Sequence, residues 1–262
     1  MDVLHSINPL YTLSGFVVGA LVGMTGVGGG SLMTPLLVLA FGVHPTTAVG
    51  TDLLYAAATK SVGSVVHGAN RTIDWGIVGR LAAGSVPATV LMLLALAHYG
   101  KKLDAAHGLI TSVLGVSLLL TAVAIFFRQR IVAFFAKRAG APNPRRTTVL
   151  TILLGAALGA LVSLSSVGAG AIGMTVLLIL YPQAPVGKLV GSDIAHAVPL
   201  TLLGGLGHWM MGSVDWHLLV SLLSGSIPGV IIGSLLSARA PDRVLRAVLA
   251  STLAVVGIKL FV

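Results

Sequence analysis

The sequence predicts an all-α polytopic membrane protein, made of two pseudo-symmetric repeats with broken or re-entrant helices at glycine-rich breaks. Of its 262 residues, 56% are hydrophobic and only 9% are charged, and the mean hydropathy is +1.00. Soluble domains carry about 25% charged residues, so this chain lacks the polar surface of a soluble fold. Apolar runs of about 20 residues recur along the chain, and each is long enough to cross a bilayer core about 30 Å thick.

The two repeats are predicted from a constant offset between the halves. At an offset of 141 positions, eight residues of the first half recur in the second: Gly50, Asp52, His67, Asp74, Trp75, Gly84, Ser85 and Pro87 correspond to Gly191, Asp193, His208, Asp215, Trp216, Gly225, Ser226 and Pro228. Internal similarity of this kind in an apolar chain is typical of transporters built from two related halves. We therefore divide the chain into a first transmembrane repeat over 1–127, a linker over 128–146 and a second transmembrane repeat over 147–262.

The linker carries much of the chain's formal net charge of +9. It contains six basic residues and no acidic one: Arg128, Arg130, Lys137, Arg138, Arg145 and Arg146. Because these charges lie between apolar spans, the positive-inside rule explains them better than nucleic-acid binding does. The sequence thus predicts a multi-pass protein of the cell (inner) membrane with a cytoplasmic linker. With no cysteine, it offers no disulfide and no thiolate metal site.

In the first repeat, the pattern predicts a helix near Leu10–Thr25, a break at Gly26–Gly30 and a short apolar piece at Leu32–Phe41. Ten residues of helix rise only about 15 Å, so this piece is too short to span. Longer spans follow at Thr46–His67, Trp75–His98 and Ala105–Phe127. Residues Ile131–Ala136 of the linker could form a short helix at the membrane interface.

The second repeat follows the same plan. Its predicted segments are Thr147–Leu164, a break at Ser165–Gly170, Ala171–Tyr181, Leu189–Trp209, Trp216–Ser237 and Arg243–Val262. Interrupted helices are tolerated at membrane depth only where protein or a water-filled cavity satisfies the backbone, and matched breaks indicate a transporter site. If each break forms a hairpin, the repeats are inverted. Four crossings in each half would instead make them parallel, and both topologies stay open.

The breaks supply the first candidate substrate-binding residues. They are Gly28, Gly29 and Gly30 in the first half, and Ser165, Ser166, Gly168 and Gly170 in the second. A helix end facing a cavity offers unpaired N–H groups and a partial positive charge to an anion. The alternative is that the glycines only allow close helix packing. A nucleotide loop is not favoured, because the Lys-Ser/Thr signature is missing.

Paired aspartates are the candidates for coupling. Asp52 and Asp193 each follow a hydroxyl residue, Thr51 and Ser192, which we add to the substrate-binding candidates. The aspartates could simply be first-turn acids favoured by the helix dipole. However, an ionisable group inside a span costs about 2.5–3.5 kcal/mol and is rarely kept without a role. His196 lies three residues after Asp193, on the same face of the helix, so the two could share a proton. We therefore assign Asp52, Asp193 and His196 to proton coupling.

Lys60 is the one basic residue deep within a predicted span, about 12 Å along the helix from Asp52. With Thr59, it is a candidate for binding a substrate anion, although an isolated lysine could also extend towards the lipid headgroups. His67 and His208 close their spans before Asp74-Trp75 and Asp215-Trp216, a spacing typical of an interfacial turn.

These motifs together resemble the sulfite exporter TauE/SafE family of membrane transporters. The resemblance covers nearly the whole chain apart from the linker. It rests on Gly26-Val-Gly-Gly-Gly30, Gly50-Thr-Asp52, Thr59-Lys60, His67, Asp74-Trp75 and Gly84-Ser-x-Pro87, and on Gly191-Ser-Asp-Ile-Ala-His196, His208, Asp215-Trp216 and Gly225-Ser-Ile-Pro228. The second break departs from the pattern with alanine at 169. The resemblance implies secondary transport of sulfite, sulfonates or related small sulfur or carboxylate anions.

The sequence therefore predicts a secondary transporter of a small anion, coupled to protons or ions, with alternating access between two repeats. Its expected partners are the small anion and the lipid bilayer, without nucleic acid, cofactor or metal; a homo-oligomer stays open. The alternatives are a passive anion channel, a structural subunit, or an intramembrane enzyme. The enzyme would need Ser165 or Ser166 beside His196 or His208, and no hydrolase motif supports it.

Overall fold

A computed structural model describes residues 8–25, 30–69, 71–99, 105–136, 143–236, 250–251, 253–255 and 257–260. These parts of the chain are almost entirely helical and contain no strand. The helices are α1 Pro9–Thr25, α2 Gly30–Phe41, α3 Pro45–Ala69, α4 Trp75–Tyr99, α5 Ala105–Phe126, α6 Arg128–Ala136, α7 Pro144–Ser165, α8 Met174–Leu180, α9 Val186–Met210 and α10 Trp216–Leu236. The predicted all-α class is confirmed, and the predicted segments agree with these bounds to within a few residues.

Four of the described helices, α4, α7, α9 and α10, are long and apolar enough to cross a membrane. A fifth candidate is the pair α5 and α6, whose axes differ by 73° across a single residue, Phe127. Helix α3 has the same length as α9, 25 residues, or about 37 Å. The chain is therefore a multi-pass membrane protein. The predicted span Arg243–Val262 lies largely outside the described residues.

Two of the long helices begin at the aspartates that the repeat predicted as N-caps. The Asp74 carboxylate accepts from the N–H groups of Gly76 and Ile77, at 3.0 and 3.2 Å, at the start of α4. The Asp215 carboxylate accepts from the Leu218 N–H at 3.0 Å, at the start of α10. These bonds satisfy N–H groups that the helix itself leaves unpaired.

The helices pack in pairs that join the two halves of the chain. Helix α1 lies along α10, α4 along α7, and the central helices α3 and α9 lie along each other. Gly84 of α4 lies so close to α7 that a Cβ atom would collide with the carbonyl oxygen of Ile152. The equivalent Gly225 of α10 is held just as closely against the carbonyl oxygen of Thr12 in α1. These glycines let helix backbones approach, as small residues do in membranes.

Candidate functional site

A buried group of polar residues lies between the central helices α3 and α9 and the interruption that follows α7. We call Asp52, Lys60, Ser166, Asp193 and His196 the central polar cluster. Their exposed fractions are 0%, 8%, 5%, 5% and 0%. Burying charged groups is costly unless they are paired or functional, so this cluster is the strongest candidate site in the described parts of the chain.

Asp52 lies on α3 against the first turns of α2. One carboxylate oxygen, Oδ2, accepts from the Thr34 backbone N–H at 3.2 Å and from the Thr34 hydroxyl. The other oxygen, Oδ1, has no hydrogen-bond partner among the described residues. The start of α2 thus faces a carboxylate of the protein itself, and that carboxylate keeps one acceptor unused.

The helical path is interrupted after α7. Helix α7 ends at Ser165, and Ser166 adopts a left-handed conformation with φ 56°. Gly168 follows with φ 112°, a backbone geometry that glycine adopts far more readily than other residues. A π-helical turn at Ala169–Gly173 then leads into α8. The interruption is therefore shorter than the predicted Ser165–Gly170, because the backbone resumes helical bonding before Gly170.

Asp193 of α9 lies against the beginning of α8. A Cβ atom placed on Gly173 would be 2.9 Å from the Asp193 carboxylate oxygen Oδ1, so only a glycine fits there without displacing the carboxylate. That same oxygen has no hydrogen-bond partner in the described parts of the chain. Asp52 and Asp193 therefore both lie at the beginning of a short helix, and each has an unsatisfied carboxylate oxygen.

Lys60 connects these groups electrostatically. The charges of Asp193 and Asp52 both act on its ammonium group, Asp193 more strongly. The lysine in turn acts on the ring of His196. Buried Lys60 thus lies within electrostatic reach of one carboxylate from each half of the chain. Such a site can hold an anion beside the lysine once the carboxylates are neutralised.

The ring of His196 is held by α4. Its Nε2 atom and the Ser85 hydroxyl are 2.8 Å apart, and its Nδ1 atom has no partner among the described residues. The same link occurs at the positions that correspond through the 141-residue offset, where the hydroxyls of Tyr55 and Ser226 are 2.6 Å apart. A tyrosine at the matched position cannot serve as a general base for its serine at neutral pH. The two pairs therefore join α9 to α4 and α3 to α10 in the same way.

The hydroxyls of Thr51 and Ser192 contact turns, not the cluster. Thr51 accepts from the Asp215 backbone N–H at 3.0 Å, and Ser192 accepts from the Asp74 backbone N–H at 2.8 Å. Each residue thus ties a central helix to the turn of the opposite half. Thr59 donates to the Tyr55 carbonyl within its own helix at 3.0 Å. A role of these three residues in binding substrate stays a prediction.

The remaining candidates are distributed as follows. Gly28 and Gly29 lie outside the described residues, and Gly30 is the first residue of α2. The Ser165 hydroxyl donates to the Leu161 carbonyl at 2.7 Å. Gly170 belongs to the π-helical turn.

The two histidines at the span ends have different surroundings. His208 is fully buried, and its Nε2 atom is 2.9 Å from the Ser163 carbonyl oxygen. His67 is bonded instead to the Thr72 hydroxyl through Nδ1, at 2.8 Å. No hydrogen bond joins Ser165 or Ser166 to either His196 or His208 in the described structure. The serine–histidine pair that an intramembrane enzyme would need is thus not formed there.

Sequence reasoning missed three contributors to the cluster's surroundings. Thr34 and Tyr55 look like ordinary helix residues, yet Thr34 holds Asp52 and Tyr55 occupies the place that His196 has in the other half. The constant offset could have identified Tyr55, since it stands 141 positions before His196. Arg128, whose charge reaches Asp193, was counted only as part of the linker.

An apolar helical bundle with ionisable residues buried at its centre is typical of membrane transporters. The chain belongs to the sulfite exporter TauE/SafE family, whose model matches residues 11–260. It is therefore a membrane transporter of that family, not an enzyme.

Several bacterial proteins are similar over most of the chain. The probable membrane transporter protein YjnA of Bacillus subtilis (strain 168) is 40% identical over 254 residues, which cover 95% of this chain and 97% of that protein. The probable membrane transporter protein YdhB of the same organism is 29% identical over 258 residues, covering 94% and 96%. A probable membrane transporter protein of Xylella fastidiosa (strain 9a5c) is 27% identical over 236 residues, covering 86% and 83%. No solved structure matches the chain.

Proposed function

We propose that the protein is a secondary transporter of a small oxyanion, sulfite or a related sulfur compound, driven by protons that bind the central polar cluster. The family description supports sulfite as the first substrate to test. The observation that carries the proposal is Lys60, a buried basic side chain within electrostatic reach of one aspartate from each half.

The charge of the cluster explains why anion transport would need protons. With both aspartates ionised and Lys60 charged, the three groups sum to one negative charge, which repels an anion. Protonating Asp52 and Asp193 leaves the lysine as the net charge and makes the cluster attractive to a monoanion. Each aspartate has one unsatisfied oxygen that can carry the proton. The anion and its coupling protons would therefore bind together.

Protonation of Asp52 would also make a backbone N–H group available to the substrate. Asp52 now accepts the Thr34 N–H near the start of α2, where the helix dipole favours negative charge. Once Asp52 is protonated, it competes less well for this N–H and the substrate oxygen can take its place. This exchange would place the substrate oxygen against the first turns of α2.

We infer that the two halves are structural repeats whose relative motion gives alternating access. The matched hydrogen bonds support this inference, since Tyr55 with Ser226 corresponds to His196 with Ser85. The interruption at Ser166–Gly168 supports a broken helix beside the site. Both of these matched bonds join one half to the other, and we expect the central helices to move as units against the helices they contact.

The test is flux in vesicles that contain only the purified protein. Sulfite, thiosulfate, a sulfonate and a small carboxylate are offered with and without an imposed pH gradient. The proposal expects a gradient to drive accumulation of at least one sulfur oxyanion above its equilibrium level, and Lys60→Met to prevent it. Flux that only dissipates the anion gradient would identify a passive channel, and the absence of flux for all four would refute the proposal.

A further inference from the structure

The bend between α5 and α6 places a basic residue of the linker near the site. The helices meet at 73° across Phe127, and α6 begins at Arg128. Because of this bend, α6 does not continue along α5 but packs against α8. Arg128 is half-buried at the first position of α6.

Helix α8 links α6 to the central polar cluster. The turn that precedes α8 ends at Gly173, against which Asp193 Oδ1 lies. Helix α6 and helix α9, which carries Asp193, therefore both pack against the same short helix α8. In agreement with this placement, the Asp193 carboxylate is acted on by two positive charges, Lys60 first and Arg128 second.

Arg128 differs from the other basic residues of the linker that the structure describes. Arg130, Arg145 and Arg146 are all exposed. The guanidinium of Arg130 lies over the Phe127 ring, 5.9 Å from its centroid, and has a separate role in packing. If Arg128 served only to anchor α6 at the membrane surface, we would expect its side chain to be exposed, like those of the other three arginines.

We propose that Arg128 is a second anion-contacting residue, placed on the linker side of the central polar cluster, where it attracts the oxyanion and passes it to Lys60. The inference rests on the proposed function. A guanidinium suits the task because its planar set of donors matches two oxygens of an oxyanion. Since it is half-buried, its contact with the anion is exchangeable, as a residue on a transport path requires.

The natural chain has no cysteine, which permits a test that separates charge from folding. Arg128→Cys protein is purified once and divided into three portions. Alkylation with 2-bromoethylamine gives a cationic side chain, iodoacetamide a neutral one and iodoacetate an anionic one. Arg130→Cys, treated in the same way, is the matched control, and sulfite uptake is measured from the side that the linker faces.

The proposal expects the KM for sulfite to rise in the order cationic, neutral, anionic, by about three- to tenfold at each step at low salt, with Vmax little changed. High ionic strength should reduce the differences in KM between the three forms, because salt screens charges that are in contact with solvent. The Arg130→Cys series should show no such order. Equal KM values across the Arg128→Cys series, or the same order in both series, would overturn the proposal.

The outcome also separates this inference from the proposed function. If the wild-type protein transports sulfite and Lys60→Met abolishes transport, yet the Arg128→Cys series is flat, only the role of Arg128 is refuted. If wild-type protein transports none of the anions tested, both proposals fall. A loss of Vmax without change in KM would assign Arg128 to the movement of α6 and would likewise contradict a contact with the anion.

Discussion

Replacing Lys60 by methionine tests the site most economically, because methionine has a similar length and keeps the packing of α3. The lysine is 8% exposed and is the cation that both Asp52 and Asp193 act on. A hydrogen bond to a charged partner contributes about 1.5–3 kcal/mol, and each 1.4 kcal/mol is tenfold in affinity, so we expect sulfite affinity to fall about 10- to 150-fold. The aspartates can take up protons, so the variant should still fold.

The assay is the initial rate of radiolabelled sulfite uptake into vesicles, measured over a range of concentrations. Thermal unfolding in detergent checks that the variant is folded. Thr201→Val is the matched control, since Thr201 holds the position of Lys60 in the second half and its hydroxyl donates only to carbonyls of its own helix. A Lys60→Met protein with the wild-type KM and rate would refute the assignment of Lys60 to the anion.

Three further predictions concern coupling, turns and packing. Asp193→Asn should transport sulfite without acceleration by an inward proton gradient, because the replaced group can no longer take up and release a proton; an unchanged response to the gradient would contradict its role. Ser192→Ala removes the hydroxyl that accepts the Asp74 N–H, so it should lower the unfolding free energy by about 1 kcal/mol; an unchanged unfolding free energy would contradict this role, and a raised KM would place Ser192 in the substrate site as well. Gly84→Ala should lower stability by about 1–3 kcal/mol by forcing α4 from α7, whereas Gly79→Ala, whose Cβ would meet nothing within 4 Å, should not.

The helices could be predicted from the sequence because membrane spans depend on local composition. A run such as Trp75–His98 is apolar over its full length, and no tertiary contact is needed to identify it. The Asp74 and Asp215 caps were predictable for the same reason, since a cap bonds to N–H groups two or three residues further along the chain.

The composition of the site was only partly predictable, because it depends on which residues the helices bring together. Lys60, Asp52 and Asp193 could be selected individually as ionisable groups within apolar spans. Thr34 could not, because its contact with Asp52 depends on how α2 packs against α3. The bonds of Thr51 and Ser192 to the Asp215 and Asp74 turns were also unpredictable, because they depend on how the two halves pack.

The most direct measurement of the central claim is the position of a bound oxyanion in the protein. Selenite has the shape and charge of sulfite, and its selenium atom gives an anomalous diffraction signal. In crystals grown with selenite at low pH, we expect the anomalous peak within hydrogen-bonding reach of the Lys60 ammonium group, between Asp52 and Asp193. A well-occupied peak elsewhere in the bundle, or none at Lys60 in a protein that transports selenite, would contradict the account.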